Sequence, residues 1–214
     1  MGYGFLDIAT TPSVKAAQAA NASADYWSEF QGNRSFDRFT DAEAAFIKSR
    51  DSFYMATVSE TGWPYVQHRG GPTGFIQMLD DRTIAFADYR GNRQYISVGN
   101  LAASDRAALI LMDYPGRRRL KIYGHVEARS LADCPELAER LATPGYKAKV
   151  ERALLVHLAA FDWNCPQHIT PRFRESELAE SLAPMRRRID ELEAENKRLR
   201  RQFAADVAAA TRKG

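Results

Sequence analysis

The pattern of hydrophobic and polar positions predicts a helix followed by a series of strands. Thr40 and Glu43 form a capping box ahead of four apolar residues, which predicts a helix that ends before Ser52. From residue 53 onward, short runs rich in β-branched and aromatic residues alternate with turns built from Gly, Pro and Asp. Runs of this kind are typical of strands joined as hairpins.

About seven such runs occupy the middle of the chain, with one helical interruption near residues 135–150. The predicted strands lie at residues 53–58, 65–68, 74–79, 83–87, 107–114, 120–128 and 153–161. A closed antiparallel barrel leaves no unpaired sheet edges. The pattern therefore favours a mainly β fold, a β-barrel with flanking helices.

The pattern changes again after Pro184, where apolar positions recur at spacings of three and four with charged residues between them. The series consists of Met185, Ile189, Leu192, Asn196, Leu199 and Phe203. This spacing indicates a short coiled coil, and Asn196 stands at an a position, where a buried amide can fix register and partner number. A single amphipathic helix packed on its own barrel fits the same pattern, because fewer than three heptads are present.

These patterns predict three segments: a helical lead-in at residues 1–39, a barrel at 40–175, and an amphipathic helix or short coiled coil at 176–214. The composition, 45% hydrophobic and 27% charged, is typical of soluble globular proteins. No run reaches the roughly 18 apolar residues of a membrane span, and the first 24 residues do not resemble a secretory signal. We therefore expect a cytoplasmic protein without membrane association.

The net charge of +3 is concentrated at the C-terminal end. From Pro184 onward there are nine Lys and Arg against five Asp and Glu, whereas the preceding residues carry 21 against 22. The barrel segment therefore does not look like a nucleic-acid-binding body. Within the tail, acidic residues interleave with the basic ones, which indicates a solvated coiled-coil face and disfavours nucleic acid as a partner.

The two cysteines, Cys134 and Cys165, lie far apart, and each precedes a proline. Free thiols in a reducing compartment are the simpler interpretation, and a disulfide is the alternative. Cys165 and His168 supply too few ligands for a metal site, and the other histidines are scattered. We expect no metal.

Residues 67–71, Gln-His-Arg-Gly-Gly, close the second predicted strand. Two glycines let the backbone approach a ligand closely, and Arg69 can bind a phosphate or another anion. A β-bulge beside a solvated arginine would have the same sequence. The loop at residues 88–94 adds two arginines, two amides and a glycine, a mixture that suits a phosphate monoester but also occurs in solvated connectors.

Two further segments carry candidate chemistry. Arg117 and Arg119 share one face of a predicted strand, where one of them could stabilise an anionic ring system, although a basic edge also protects against strand aggregation. Residues 161–169 string together Trp, Asn, Cys, Gln and His around a proline. We expect this segment to form a pocket wall or lid, with a catalytic Cys165–His168 pair as the alternative.

These motifs in this order resemble the pyridoxamine 5′-phosphate oxidase-like, FMN-binding split-barrel superfamily. The likeness rests on the Gly-Trp-Pro turn at residues 62–64, the Arg-Gly-Gly strand end and the Asp-Tyr-Arg-Gly-Asn-Arg loop at residues 88–93, and it covers about residues 40–170. The closing Trp-Asn-Cys-Pro-Gln-His at residues 163–168 is most similar to the predicted flavin-nucleotide-binding branch. The resemblance implies a six-stranded antiparallel split barrel that forms a homodimer, with FMN in the clefts between subunits.

The resemblance also implies which positions bind the cofactor. Those lining the flavin ring and ribityl chain would be Gln67, His68, Arg69, Gly70 and Gly71, with Phe86 and Ala87 at the end of a following strand. The phosphate would be held by Asn92, Arg93 and Gln94, and the flavin would be approached by Arg119. The cleft would be bordered by Trp163, Asn164 and Gln167.

The chain also departs from the oxidase pattern. Lysines that the oxidase carries after its strand arginine and its loop arginine are replaced here by Pro72 or a neighbour and by Gln94, and the substrate signature of the oxidase is absent. The resemblance therefore implies an FMN-dependent oxidoreductase without pyridoxine chemistry, whose electron donor could be NAD(P)H. The alternatives are a non-catalytic flavin sensor that signals through its C-terminal helix, and a deazaflavin- or haem-binding relative. No catalytic residue is assigned, and His68 and His168 are the only candidates for proton transfer.

Overall fold

The computed structural model describes residues 4–25, 36–163 and 166–211. Contacts divide the chain into two compact units, Met1–Thr170 and Pro171–Gly214. The first unit contains the sheet and the second contains one long helix. Within the described residues, no helix is both long and apolar enough to span a membrane.

The described residues contain six helices and seven strands. The helices are α1 Gly4–Ala9, α2 Pro12–Ala20, α3 Asp41–Lys48, α4 Ile96–Ala103, α5 Pro135–Leu141 and α6 Glu175–Thr211. The strands are β1 Ser52–Val58, β2 Pro64–Gly70, β3 Ile76–Met78, β4 Thr83–Tyr89, β5 Arg106–Asp113, β6 Arg118–Arg129 and β7 Val150–Trp163.

All seven strands belong to one antiparallel sheet with the order β2-β1-β5-β6-β7-β4-β3. The predicted mainly β fold is confirmed, with a curled antiparallel sheet flanked by helices. The resemblance implied six strands where the structure has seven, of which β3 is the shortest, with three residues paired to β4. The helix predicted from the capping box is present as α3.

The sheet curls around a single main core. Phe53 on β1 contacts Phe86 on β4 with 4.9 Å between ring centroids, although these strands are far apart in the sheet order. The register shifts between Tyr123 and Gly124 on β6, and such bulges bend a strand. A Cβ on Gly124 would lie 2.8 Å from the carbonyl oxygen of His157, so glycine is required at the bulge.

Strand β7 joins the two halves of the curl because its 14 residues pair with β6 on one side and β4 on the other. Its last residue, Trp163, also holds helix α3. The Trp163 indole Nε1–H donates to the Glu43 carboxylate at 2.6 Å, and its ring meets Phe46 edge-on with 4.8 Å between centroids. The same carboxylate accepts from the backbone N–H of Thr40 at 2.9 Å.

The buried Glu43 carboxyl remains ionised in this setting. Burial alone would raise the pKa of Glu43, but hydrogen bonds from Thr40 and Trp163 outweigh burial and the pKa is lowered. A carboxyl whose pKa is lowered by folding stabilises the folded state above its unfolded-state pKa, and that contribution is lost as the pH falls through the folded-state pKa.

Replacing Glu43 with glutamine should lower the free energy of unfolding by about 2 kcal/mol at neutral pH, because charge-assisted hydrogen bonds become neutral ones. The difference in free energy of unfolding between this variant and the wild type should shrink as the pH falls below about 4.3, the unfolded-state pKa of a glutamate side chain. Urea unfolding over a pH series measures both effects. The control is Glu60→Gln on the exposed β1–β2 turn, and a Glu43→Gln deficit that stays constant into acid would contradict this account.

Candidate functional site

Strands β2 and β4 approach each other across an opening in the curled sheet. The two strands are not hydrogen-bonded neighbours, but the Arg69 guanidinium on β2 forms an ion pair with the Asp88 carboxylate on β4. A cleft opens at this split. Its lining comes from β2, the end of β4, the following loop, the start of α4 and the start of β7: Tyr65, Gln67, Arg69, Asp88, Tyr89, Gly91, Asn92, Arg93, Gln94, Tyr95, Ile96, Ser97, Val98 and Glu151.

Alternation along β2 decides which of its side chains face the cleft. Tyr65, Gln67 and Arg69 are half-buried and line the cleft, whereas Val66 and His68 are exposed on the opposite face. This is the expected consequence of side chains pointing alternately to the two faces of a strand. The Gln67 side-chain oxygen accepts a hydrogen bond from the Ser97 hydroxyl at 2.9 Å, which joins β2 to helix α4.

The floor of the cleft is a buried group of charges around Asp88. The Asp88 side chain is only 7% exposed and pairs with Arg69 across the split and, at 3.3 Å, with Arg152 on the neighbouring strand β7. The Nε atom of Arg69 is buried and has no hydrogen-bond partner among the described residues. Buried guanidinium donors are normally satisfied, so this N–H is an unsatisfied donor on a residue that lines the cleft.

The loop after β4 places Arg93 at the cleft. The Asn92 side-chain oxygen accepts from the backbone N–H of Gln94 at 3.1 Å, which turns the chain tightly. Arg93 and Tyr95 take left-handed backbone conformations, with φ of 64° and 53°. Such loops present backbone N–H groups to anions. Arg93 has no ion-pair partner in the described part of the chain.

Helix α4 begins at the cleft with an uncapped N-terminus. Tyr95 holds the N-cap position and makes no side-chain capping bond, while Ile96, Ser97 and Val98 line the cleft. The first N–H groups of a helix lack partners within the helix and carry partial positive charge. A buried hydrogen bond of 3.0 Å from the Asn100 amide to the Thr57 hydroxyl fixes this helix against β1.

The carboxylate of Glu151 also lines the cleft and is paired with cationic side chains. It accepts from Arg90 Nε at 2.7 Å and from the Tyr95 hydroxyl at 3.1 Å, and it lies 3.4 Å from Arg152. The hydrogen bond from Arg90, more than any other influence, lowers the pKa of Glu151, so this carboxyl is ionised at neutral pH. Because the acidic groups are each paired with arginine, the charge of Arg93 is left in excess.

The cleft suits a small anion. Its volume is about 40 Å³, room for about three water molecules, which fits a phosphate group but not a three-ring cofactor. Guanidinium groups, loop N–H groups and a helix N-terminus are the donors that proteins use for phosphate. No group of three or more His, Cys, Asp or Glu side chains that could hold a metal occurs among the residues that the structure describes.

The structure brings together five of the residues predicted to bind a cofactor: Gln67, Arg69, Asn92, Arg93 and Gln94. His68 lies on the other face of β2, edge-on to Tyr54 with 5.5 Å between ring centroids. Gly70 ends β2, and Gly71 makes close contact within the fold, because a Cβ there would lie 2.7 Å from the ring of Phe75.

Of the remaining predicted residues, those that the structure describes do not line this cleft. Phe86 and Ala87 are buried in the hydrophobic clusters on the two sides of β4. Arg119 shares the outer face of β6 with half-buried neighbours, Trp163 is bonded to α3 as described above, and Gln167 is on an exposed turn. Asn164, together with Cys165, lies outside the described residues.

The cleft also contains residues that the sequence did not single out, chiefly Ser97, Tyr95 and Glu151. Ser97 is one of two polar residues in a mostly apolar helix and is 1% exposed, which is a signal of a buried hydrogen bond. Glu151 comes from the start of β7, and nothing in the local pattern links it to the loop after β4.

Comparison with known proteins agrees with this architecture. The family model described as pyridoxamine 5′-phosphate oxidase matches residues 39–159, more than half of the 214-residue chain, and confirms the resemblance found in the sequence. None of the curated protein sequences is similar enough to the chain to count as a match.

Three solved structures illustrate how distant the structural relatives are. HupZ from Group A Streptococcus is 14% identical, with 63% of this chain and 99% of that chain covered and a TM-score of 0.45. An FMN-binding protein from Syntrophomonas wolfei is 15% identical, with 69% and 97% covered and a TM-score of 0.43. A protein from Clostridium acetobutylicum related to general stress protein 26 of B. subtilis (pyridoxinephosphate oxidase family) is 16% identical, with 64% and 94% covered and a TM-score of 0.43.

The assignment of the chain stands on the family-model match, since these structural likenesses are too weak to support an argument. The match spans α3 through most of β7, and it therefore includes every residue that lines the cleft. The chain belongs to the pyridoxamine 5′-phosphate oxidase family.

Proposed function

We propose that this protein is an FMN-dependent oxidoreductase, a homodimer that binds the phosphate of FMN in the cleft between β2 and β4. The observation that carries the proposal is the convergence of three unsatisfied donor groups, among the described residues, on a cleft of phosphate size. They are the unmatched guanidinium of Arg93, the partnerless buried Nε–H of Arg69 and the uncapped start of α4. Each of these alone is common, but together they suit a dianion.

The roles of the cleft residues follow from their positions. Arg93 would supply the charge that balances the phosphate, and the loop around Asn92 would supply backbone donors. Arg69 is held by Asp88, and its unsatisfied Nε–H is the donor that it would offer. Gln94 replaces a lysine of the oxidase pattern, and its side-chain oxygen accepts from the Asn92 amide at 3.1 Å. The charge that the loop offers to the phosphate therefore comes from Arg93.

The flavin ring would lie outside the cleft, because the cleft has room only for the phosphate. The outer face of β1 and β2 offers an apolar surface for a second subunit: Tyr54, Val58 and Val66 are 39%, 48% and 61% exposed there. Exposed apolar patches of this kind mark interaction sites. Arg119 lies on the outer face of β6, where it would bring positive charge towards a ring held between subunits.

Bound FMN would supply the hydride or electron chemistry, and the protein would supply binding, orientation and electrostatics. Among the described residues, those that line the cleft include no histidine for proton transfer, so the proposal assigns no catalytic acid or base. A nicotinamide nucleotide is the proposed electron donor. Bound flavin that neither NADH nor NADPH reduces would favour the non-catalytic sensor instead.

The purified protein should show flavin absorbance bands or take up FMN on titration, because the unmatched donors of the cleft would be satisfied by its phosphate. In Arg93→Gln the dissociation constant for FMN should rise roughly tenfold to a hundredfold, the usual effect of losing a hydrogen bond to a charged group. Fluorescence titration measures this directly, because free and bound flavin differ in emission.

Arg82→Gln is the matched control, since Arg82 is an exposed arginine on the β3–β4 turn, outside the cleft lining. Its affinity for FMN should equal that of the wild type. The proposal fails if no FMN binds, or if both variants lose affinity equally. A Soret band, or uptake of a deazaflavin in preference to FMN, would reassign the cofactor.

The proposed subunit interface predicts protection of Val66. In a chain carrying Cys134→Ser and Cys165→Ser, a thiol introduced by Val66→Cys should react several-fold more slowly with a thiol reagent than one introduced by Val14→Cys. In the single chain Val66 is 61% exposed and Val14 only 38%, so without an interface the order would be reversed. A Val66→Cys chain that reacts faster than the Val14→Cys chain would contradict this interface.

A further inference from the structure

Helix α6 presents a long apolar stripe that nothing among the described residues of its own unit covers. Five apolar members of the stripe are between 46% and 71% exposed: Met185, Ile189, Leu192, Leu199 and Phe203. The helix has 37 residues, and helices draw most of their stability from packing an apolar face. We therefore expect a partner to cover this stripe.

The stripe follows a heptad repeat that identifies the partner as another helix. Ile189, Asn196 and Phe203 are at a positions, and Met185, Leu192 and Leu199 are at d positions. A β-branched residue at a combined with leucine at d favours two helices, and a single asparagine at a selects the same number.

Asn196 also selects the orientation of the pair. In a parallel, in-register pair each a residue faces the same residue of the other helix, so Asn196 meets Asn196 of the second copy and the two amides can hydrogen-bond. In an antiparallel pair an a residue faces a d residue, and every d residue of this seam is Met or Leu. An antiparallel pair would therefore bury the amide without a partner, which is costly.

The charges that flank the seam agree with the parallel arrangement. The charged g positions are Arg188 and Glu195, and the e positions that follow them in the next heptad are Glu193 and Arg200. In a parallel pair Arg188 faces Glu193 of the second copy, and Glu195 faces Arg200 of the second copy. Both contacts join opposite charges. In the single helix Arg188 pairs instead with Glu191 at 3.1 Å on an exposed surface, a contact of little energy that is easily exchanged.

We propose that α6 pairs with α6 of a second copy of this chain as a parallel, in-register, two-stranded coiled coil over residues 185–203. The proposal does not depend on flavin binding or on the interface at β1 and β2. Nucleic acid is a less favoured partner, because an acidic stretch at residues 190–195 lies between the basic residues at 186–188 and 197–201.

Disulfide cross-linking of the full chain tests the pairing. In a chain with Cys134→Ser and Cys165→Ser, Leu199→Cys places a thiol in the seam at a d position, and Ala194→Cys places one on the outer f position of the same helix. Mild oxidation should cross-link the Leu199→Cys chain about tenfold faster, because pairing of the helices raises the effective concentration of the seam thiols. Equal cross-linking rates for the two cysteine variants would overturn the proposal. That result is expected if two chains associate through their barrels and leave the tails unpaired.

Charge reversal provides a second readout that loss of helix alone would not reproduce. Adding Arg188→Glu to the Leu199→Cys chain sets Glu against Glu193 of the second copy and should slow cross-linking. Adding Glu193→Arg as well restores opposite charges and should restore the rate. The coiled coil would be refuted by slow cross-linking that the second substitution does not rescue. It would also be refuted by a tail that cross-links no faster than its control but binds duplex DNA with steep salt dependence. Rapid cross-linking in a chain that binds no FMN would leave this proposal intact and remove the proposed function.

Discussion

The ion pair between Arg69 and Asp88 closes the sheet where hydrogen-bonded strand pairing does not. Strand β2 is at one edge of the sheet and β4 is next to the other edge, and these two side chains join them while being only 12% and 7% exposed. Burying charges is costly, and removing one partner of such a pair leaves the other uncompensated. Asp88 is supported by Arg152 as well, so the closing contact is a three-membered group on β2, β4 and β7.

The same closure creates the candidate site. Because Asp88 occupies only part of the Arg69 guanidinium, the buried Nε–H has no partner among the described residues, and Arg69 lines the same cleft as the loop after β4 and the start of α4. The negative wall residue Glu151 is neutralised by Arg90. The excess of positive charge therefore falls on Arg93, at an exposed part of the cleft, where an incoming phosphate would meet it first.

Much of the fold could be predicted from the sequence because its signals are local. The capping box at Thr40 and the hairpin turns depend on neighbouring residues only. The sequence could not show which side chains of β2 face the cleft. Alternation places Gln67 and His68 on opposite faces of the strand, but it does not tell which of the two faces the opening. Contacts between segments far apart in the chain could not be predicted either. Trp163 was expected at the cleft border, whereas its indole is hydrogen-bonded to Glu43, which lies 120 positions away in the chain. Its cofactor role stays a prediction, as do those of the other predicted residues outside the cleft.

The central claim is that the cleft between β2 and β4 recognises a phosphate, and the comparison of FMN with riboflavin tests it most directly, because the two differ only in that group. If Arg93, the Nε–H of Arg69 and the start of α4 hold the phosphate, FMN should bind on the order of a hundredfold more tightly than riboflavin at moderate salt. Equal dissociation constants for the two flavins would contradict the account.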